Sequence, residues 1–402
     1  MPFLTSILVL LVVARLLGEL MVRLKQPAIV GEILAGILLG PAVLGYIQPT
    51  DHLAGISELT VFLIVLTAGL EMEFGDVIGA LRGLGLMASS LGFVIPFGCG
   101  ILLGVAFGFD VMKTVFLGLC ISITALPVAV RILDNFKLLN TPIASYSIAT
   151  SILNDIAALL LLGIVLEFRV DAGATATFSA IGLSAMKTAA KLSLFGLAVV
   201  AASRLLRWGG SRTGYIERAI EKVIDLFGKE ALFGVAVLFV LIFGSMSETL
   251  GSHFVIGAFF GALLLSHDVF GTSLFSELKN TIHSITGGFL APIFFAFLGL
   301  QFSVSALISP LLPIAVLLVS VFSKILAGWL GARWVGMDKN QALGVGIILN
   351  GRGIMELVVA DIALRRGLIN QELFSTLVLM GVVTTMLTPI LFRRYVLPRL
   401  GY

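Results

Sequence analysis

The 402 residues are 58% hydrophobic and 12% charged, with a mean hydropathy of +1.11 and a formal net charge of +3. Soluble domains carry about 25% charged residues, so a water-soluble fold lacks its charged shell here and most of the outer surface must face lipid. A net charge of +3 is too small to build a nucleic-acid surface, and Cys99 and Cys120, both in apolar runs, imply neither a disulfide framework nor a metal site.

A bilayer-spanning helix takes about 20 mostly apolar residues. Cutting the chain at its charge clusters predicts an all-α membrane protein of thirteen spans: 3–22, 28–48, 54–74, 83–107, 112–133, 141–168, 186–206, 230–248, 252–266, 281–301, 306–333, 340–366 and 372–396. The first span lacks a basic leader and carries Arg15 and Glu19, which reads as an uncleaved helix rather than a signal peptide. The 252–266 span is short, and 172–185 reads as a loop or interfacial turn. With the N-terminus outside, seventeen Lys and Arg fall in inner loops and six in outer ones, which favours N-terminus out and C-terminus in the cytoplasm. The reading places no soluble domain after Tyr402.

Thirteen spans divide as six, one and six. The first repeat covers about 1–168, a linking helix about 172–206, an inner basic linker about 207–229, and the second repeat about 230–402. The halves have opposite orientations, and the fifth span of each is interrupted. Thr124-Ala125-Leu126-Pro127 breaks the first, because Pro127 has no N–H and collides with the carbonyl of Ile123. Asn350-Gly351-Arg352-Gly353 loosens the second through its two glycines. Interrupted helices at matching positions of inverted repeats mark the binding site of a transporter; the bland alternative is a pair of kinked, packed helices.

Asp155, within the apolar stretch that follows Ser147, falls near mid-membrane. A carboxylate at that depth is costly and by default functional. Desolvation favours its protonated form and a nearby cation its charged form, so one group can take either a proton or a metal ion. Ser151 lies one turn earlier on the same face, and adjacent Asn154 is placed to touch a broken helix. Asp155, Ser151, Thr124 and carbonyls freed near Ile123 offer the oxygen ligands a hard cation needs. Lys324 is buried by the same reasoning and takes Asp155 as its charge partner, or else snorkels to the inner surface. Arg352 and Glu356, four apart, pair along one helix face and support the break rather than bind the ion. Glu71 sits either at an inner funnel or as a plain surface acid, and Glu32 is similarly open. The four histidines have no metal-ligand spacing, and there is no phosphate-binding loop, nucleophile elbow or HExxH motif, so neither an ATP-driven pump nor an enzyme is expected.

The run Lys25-Gln26-Pro27-Ala28-Ile29-Val30-Gly31-Glu32-Ile33-Leu34-Ala35-Gly36-Ile37-Leu38-Leu39-Gly40-Pro41 resembles the opening of the monovalent cation:proton antiporter-2 family, which holds Kef-type potassium efflux proteins and bacterial sodium/proton antiporters. Ser122 to Val128, Asn154-Asp155, Pro292 to Phe295 and Asn350 to Leu357 match further motifs in order, over essentially the whole chain. The resemblance implies a homodimer in the plasma membrane of a bacterium or archaeon, with a mobile core of two crossed broken helices working as an elevator. It makes Asp155 the carrier acid and Lys324 its membrane-embedded partner, with Na+ or K+ and H+ as cargo and no cofactor. Asn154 before the acid goes with electroneutral exchange, although a lysine at the place of Lys324 also occurs in electrogenic members. A separately encoded regulatory subunit fits the pattern. Sodium-coupled symport and a cation channel stand as the competing readings.

Overall fold

A computed structural model describes residues 2–72, 83–168, 190–191, 194–206, 218, 222, 224–228, 230–250, 253–266, 271–304 and 309–400. Most of the inner basic linker and the first part of the linking helix lie outside these residues. Among the described residues the regular structure is helical throughout, and eight helices are long and apolar enough to cross a membrane. In chain order the helices are α1 (Phe3–Arg23), α2 (Ala28–Leu39), α3 (Asp51–Glu71), α4 (Gly83–Ala106), α5 (Val111–Ser122), α6 (Leu126–Asn135), α7 (Pro142–Phe168) and α8 (Leu194–Leu206). They continue as α9 (Glu230–Thr249), α10 (Phe254–Leu264), α11 (Thr272–Ile285), α12 (Ala291–Leu300), α13 (Leu311–Trp334), α14 (Lys339–Ile348), α15 (Ile354–Arg365), α16 (Gln371–Tyr395) and the short α17 (Leu397–Leu400).

Two predicted spans differ from the helices of the structure by two turns or more at one end. The 28–48 span ends as a helix at Leu39, because Pro41 disfavours helical backbone at the residue before it, and Gly40 is extended. The 281–301 span begins earlier, at Thr272, and runs through a π-helical turn, Thr286–Leu290, into α12. Pro292 supplies the reason: its ring collides with the carbonyl four residues back and its missing N–H leaves the ladder to widen.

The chain forms two compact units, one of Met1–Glu58, Val77–Ala158 and Ala291–Tyr402, the other of Leu59–Asp76 and Leu159–Leu290. In the first, α1, α2 and α12 pack around Leu10, Ala14, Ala35, Ile293, Ala296 and Phe297. The outer face of α1 carries Leu4, Leu8, Val12, Leu16 and Leu20, all exposed and apolar as a lipid-facing surface requires. In the second unit, α9 and α10 close on Gly257 and Gly261, which admit Phe243 and Ser247.

Small residues set the helix spacing, since lipid offers no hydrophobic drive between helices and backbones gain by approaching closely. Gly36 on α2 faces the backbone of Ala296 on α12, with no room for a Cβ. Gly36→Ala therefore forces the two helices apart, an overpacking cost of about 1–3 kcal/mol. The expected result is a lower melting temperature in detergent; an unchanged one removes this contact from the account.

Candidate functional site

The two half-helices that lead into the breaks begin alike. Asp110 caps α5 by accepting from Lys113 N at 2.9 Å, and the hydrogen bond from the Lys113 side chain holds the Asp110 carboxyl below its ordinary range. Asp338 caps α14 in a capping box, accepting from Asn340 N at 2.7 Å and Gln341 N at 3.0 Å.

Each half-helix then stops inside the protein. The first gives way to extended backbone at Ile123–Ala125 and resumes as α6, with Pro127 in its first turn, where a missing N–H costs nothing. The second stops at Ile348 and resumes as α15 at Ile354. The two breaks cross in contact: Ala125 N donates to Gly351 O at 3.0 Å, and Thr124 Oγ1 donates to Leu349 O at 3.1 Å. Gly353 permits the approach, because a Cβ there would lie 2.5 Å from Ala125 Cβ. Thr385 on α16 steadies the crossing by donating to Arg352 O at 2.9 Å.

Breaking a helix leaves its last carbonyls without partners, and two buried cations take up those of α5. Arg352, fully buried, donates to Ile121 O at 2.6 Å, to Ile123 O at 2.8 Å, to Cys120 O, and to Ser320 Oγ at 2.7 Å. Its Nη1 lies 3.6 Å from Glu356 Oε2, an ion pair within one helix face. Lys324, also fully buried, donates to Ser122 O, to Gly92 O at 3.0 Å and to Thr124 Oγ1 at 2.7 Å. It does not snorkel. Asp155, Arg352 and Glu356 all lie within its electrostatic reach.

α7 runs past the crossing with Ser147, Ser151, Asn154 and Asp155, all buried. Asn154 Nδ2 donates to Thr124 Oγ1 at 3.2 Å. The Thr124 hydroxyl is thus fully engaged, donating once and accepting from both Asn154 and Lys324. A metal ion that takes this oxygen must displace one of those donors. Ser151 Oγ and Asn154 Oδ1, by contrast, are buried without a hydrogen-bond partner among the described residues. Ser147 Oγ on the same helix and Asn350 Oδ1 at the second break share that condition, so α7 and the break offer a cation several uncommitted oxygens.

Glu71 is placed elsewhere, at the end of α3 in the second unit, within electrostatic reach of Lys279 and His283 on α11. Residue spacing alone missed several partners. Nothing in the spacing singles out Gly92 or Ser320, and the carbonyls of α5 that hold Arg352 are 229 to 232 positions away in the chain. The glycine at 92 carries a faint signal, since a Cβ there would meet Thr150 Cγ2 at 2.7 Å.

Crossed, interrupted helices around a buried acid and two buried cations, in a multi-pass helical chain, define a secondary transporter. The profile of the family described as "Sodium/hydrogen exchanger, transmembrane" matches residues 7–396, and the chain belongs to that family. It is a family of membrane antiporters and not of enzymes, and the chain is an integral multi-pass membrane protein. The chain is similar to the "Probable Na(+)/H(+) antiporter GerT" of Bacillus cereus, 27% identical over 98% of this chain and 100% of that one. It is similar also to the "Na(+)/H(+)-K(+) antiporter GerN" of the same organism, 27% identical over 96% of this chain and 94% of that one. Among solved structures, the sodium proton antiporter MjNhaP1 of Methanocaldococcus jannaschii has the same fold, with a TM-score of 0.70 over 97% of this chain and 95% of that one at 16% identity.

Proposed function

We propose that this protein exchanges a monovalent cation, Na+ or K+, for H+ across a membrane, with proton and cation taking turns at Asp155. The observation that carries the reading is the set of buried oxygens on that acid's helix and at the adjoining break. Ser151 Oγ and Asn154 Oδ1 stand uncommitted on its own helix, while the Lys324 ammonium holds the Thr124 oxygen that an incoming cation would contest. Relatives named as Na+/H+ and Na+/H+-K+ antiporters support the same class of reaction. Asn154 in place of a second acid supports one cation per proton. The reading further takes the crossed helices as the moving part of an elevator, two copies as the working assembly, no cofactor, and an outer N-terminus with a cytoplasmic C-terminus. Lys324 supports a second stoichiometry: if it releases its own proton when the cation binds, exchange becomes electrogenic.

Competition predicts a particular pH dependence. Only the deprotonated carboxylate binds the cation, so apparent cation affinity weakens as pH falls, by up to about tenfold per unit. The maximal rate at saturating cation stays level. Proton release from reconstituted vesicles, followed with a pH dye over a cation and pH series, measures both. A pH change that alters maximal rate and leaves affinity alone is incompatible with a shared seat, and voltage dependence under valinomycin decides the stoichiometry.

A further inference from the structure

A second polar cluster lies at the other end of α15, and the site described above does not use it. Asp361 is 1% exposed and accepts from Arg365 Nε at 2.8 Å and from Gln301 Nε2 at 3.4 Å. Arg365 Nη1 also donates to Ala54 O on α3 at 3.1 Å and lies 3.8 Å from Glu58 Oε1. Its guanidinium stands 5.3 Å over the ring of Phe297 on α12. Gln301 itself accepts at its carbonyl from Gln371 Nε2, and Ser303 N donates to Ser375 Oγ at 2.9 Å, so the start of α16 joins the same cluster.

These contacts are of two kinds. The Asp361–Arg365 pair is one turn apart on one helix and travels with it. The contacts to Ala54 and Glu58 of α3, to Phe297 of α12 and to Gln301 just after it are lost if α15 slides past them. A permanent joint is made as well by apolar packing, because burying an ion pair costs its desolvation. An arginine that carries its own counter-charge can instead leave one set of partners without becoming a lone buried charge. Asp361 and Arg365 lie eight and twelve residues past Gly353, about 12 and 18 Å along the helix, so the helix that holds the break at one end is tied at the other.

We infer that Asp361 and Arg365 form a releasable clasp, fastening the far end of α15 to α3 and α12 in one state of the transport cycle and letting go in the other. The inference rests on the elevator reading given above. In this state the clasp is closed. Its release sets how readily the site changes sides.

Crosslinking tests it. Glu58→Cys with Arg365→Cys, in a background of Cys99→Ala and Cys120→Ala, is bridged in reconstituted vesicles by a short bis-methanethiosulfonate. Bridging stops cation-dependent proton release and a thiol reductant restores it; bridged protein that exchanges at the reduced rate overturns the clasp. Protein that keeps Glu58 and Arg365 in the same Cys99→Ala and Cys120→Ala background scores the antiport reading separately. Gln301→Ala, which keeps Arg365, supplies a second arm: apparent KM for the cation moves in opposite directions on the two membrane faces, by about three- to tenfold. An equal change on both faces, in protein that still elutes as a single species, marks a static joint and overturns the inference.

Discussion

Asp155→Asn reduces cation-dependent proton release to the level of protein-free vesicles while the protein remains folded. The amide keeps the volume and the hydrogen-bonding reach of the acid, so packing within α7 is preserved. It cannot bind and release a proton in the working range, and it offers a metal ion a dipole in place of a charge. Asp155 is 3% exposed and shares α7 with Ser151 and Asn154, whose Oγ and Oδ1 are buried without a hydrogen-bond partner among the described residues. Removing the charge saves its own desolvation but takes an opposing charge away from buried Lys324, so the two effects on stability oppose each other. Loss of transport in protein that still folds and elutes as a single species is therefore the expected signature. Transport at the parent rate in this variant would remove the acid from the reaction.

Arg352→Met is expected to be the most damaging substitution for stability. The side chain is fully buried and supports three carbonyls at the end of α5, the Ser320 hydroxyl and the Glu356 carboxylate. Methionine fills much of the same space and satisfies none of them. Stranding a buried charge by deleting its partner costs about 3–5 kcal/mol, and each orphaned carbonyl adds to this. Glu356→Gln is milder, since Arg352 keeps its carbonyls and only the 3.6 Å ion pair goes. Thermal unfolding in detergent ranks the two variants. If Arg352→Met melts with the parent, the end of α5 is held by something other than this guanidinium.

Much of this was legible from the chain because membranes penalise certain residues so heavily. A proline at 127 cannot continue a helical ladder, and glycines at 351 and 353 give a second helix the freedom to stop, so the backbone opens at Ile123–Ala125 and after Ile348. A carboxylate deep in an apolar run is too costly to be incidental, which points to Asp155 without reference to any neighbour. The small-residue spacing at Gly36 and Gly40 likewise shows where α2 meets another backbone, though not that the other is α12.

Other features were hidden for equally physical reasons. Asp361 and Arg365 have the spacing of an ordinary surface pair, and nothing in that spacing says that α3 and α12 bury the aspartate. The end of α2 depends on Pro41, which an apolar-window reading passes over.

The hydrophobic pattern, the helix breakers and the depth of the charged residues, all local properties, determined by themselves that this is a many-helix membrane protein with two interrupted segments and a buried acid. Partner choice is not local. Lys324 meets Gly92, Ser122 and Thr124, and Arg352 meets the carbonyls of α5, because folding brings together groups that are some 200 positions or more apart. Each of those groups must find a hydrogen bond once water is gone, and only the packed structure decides which one.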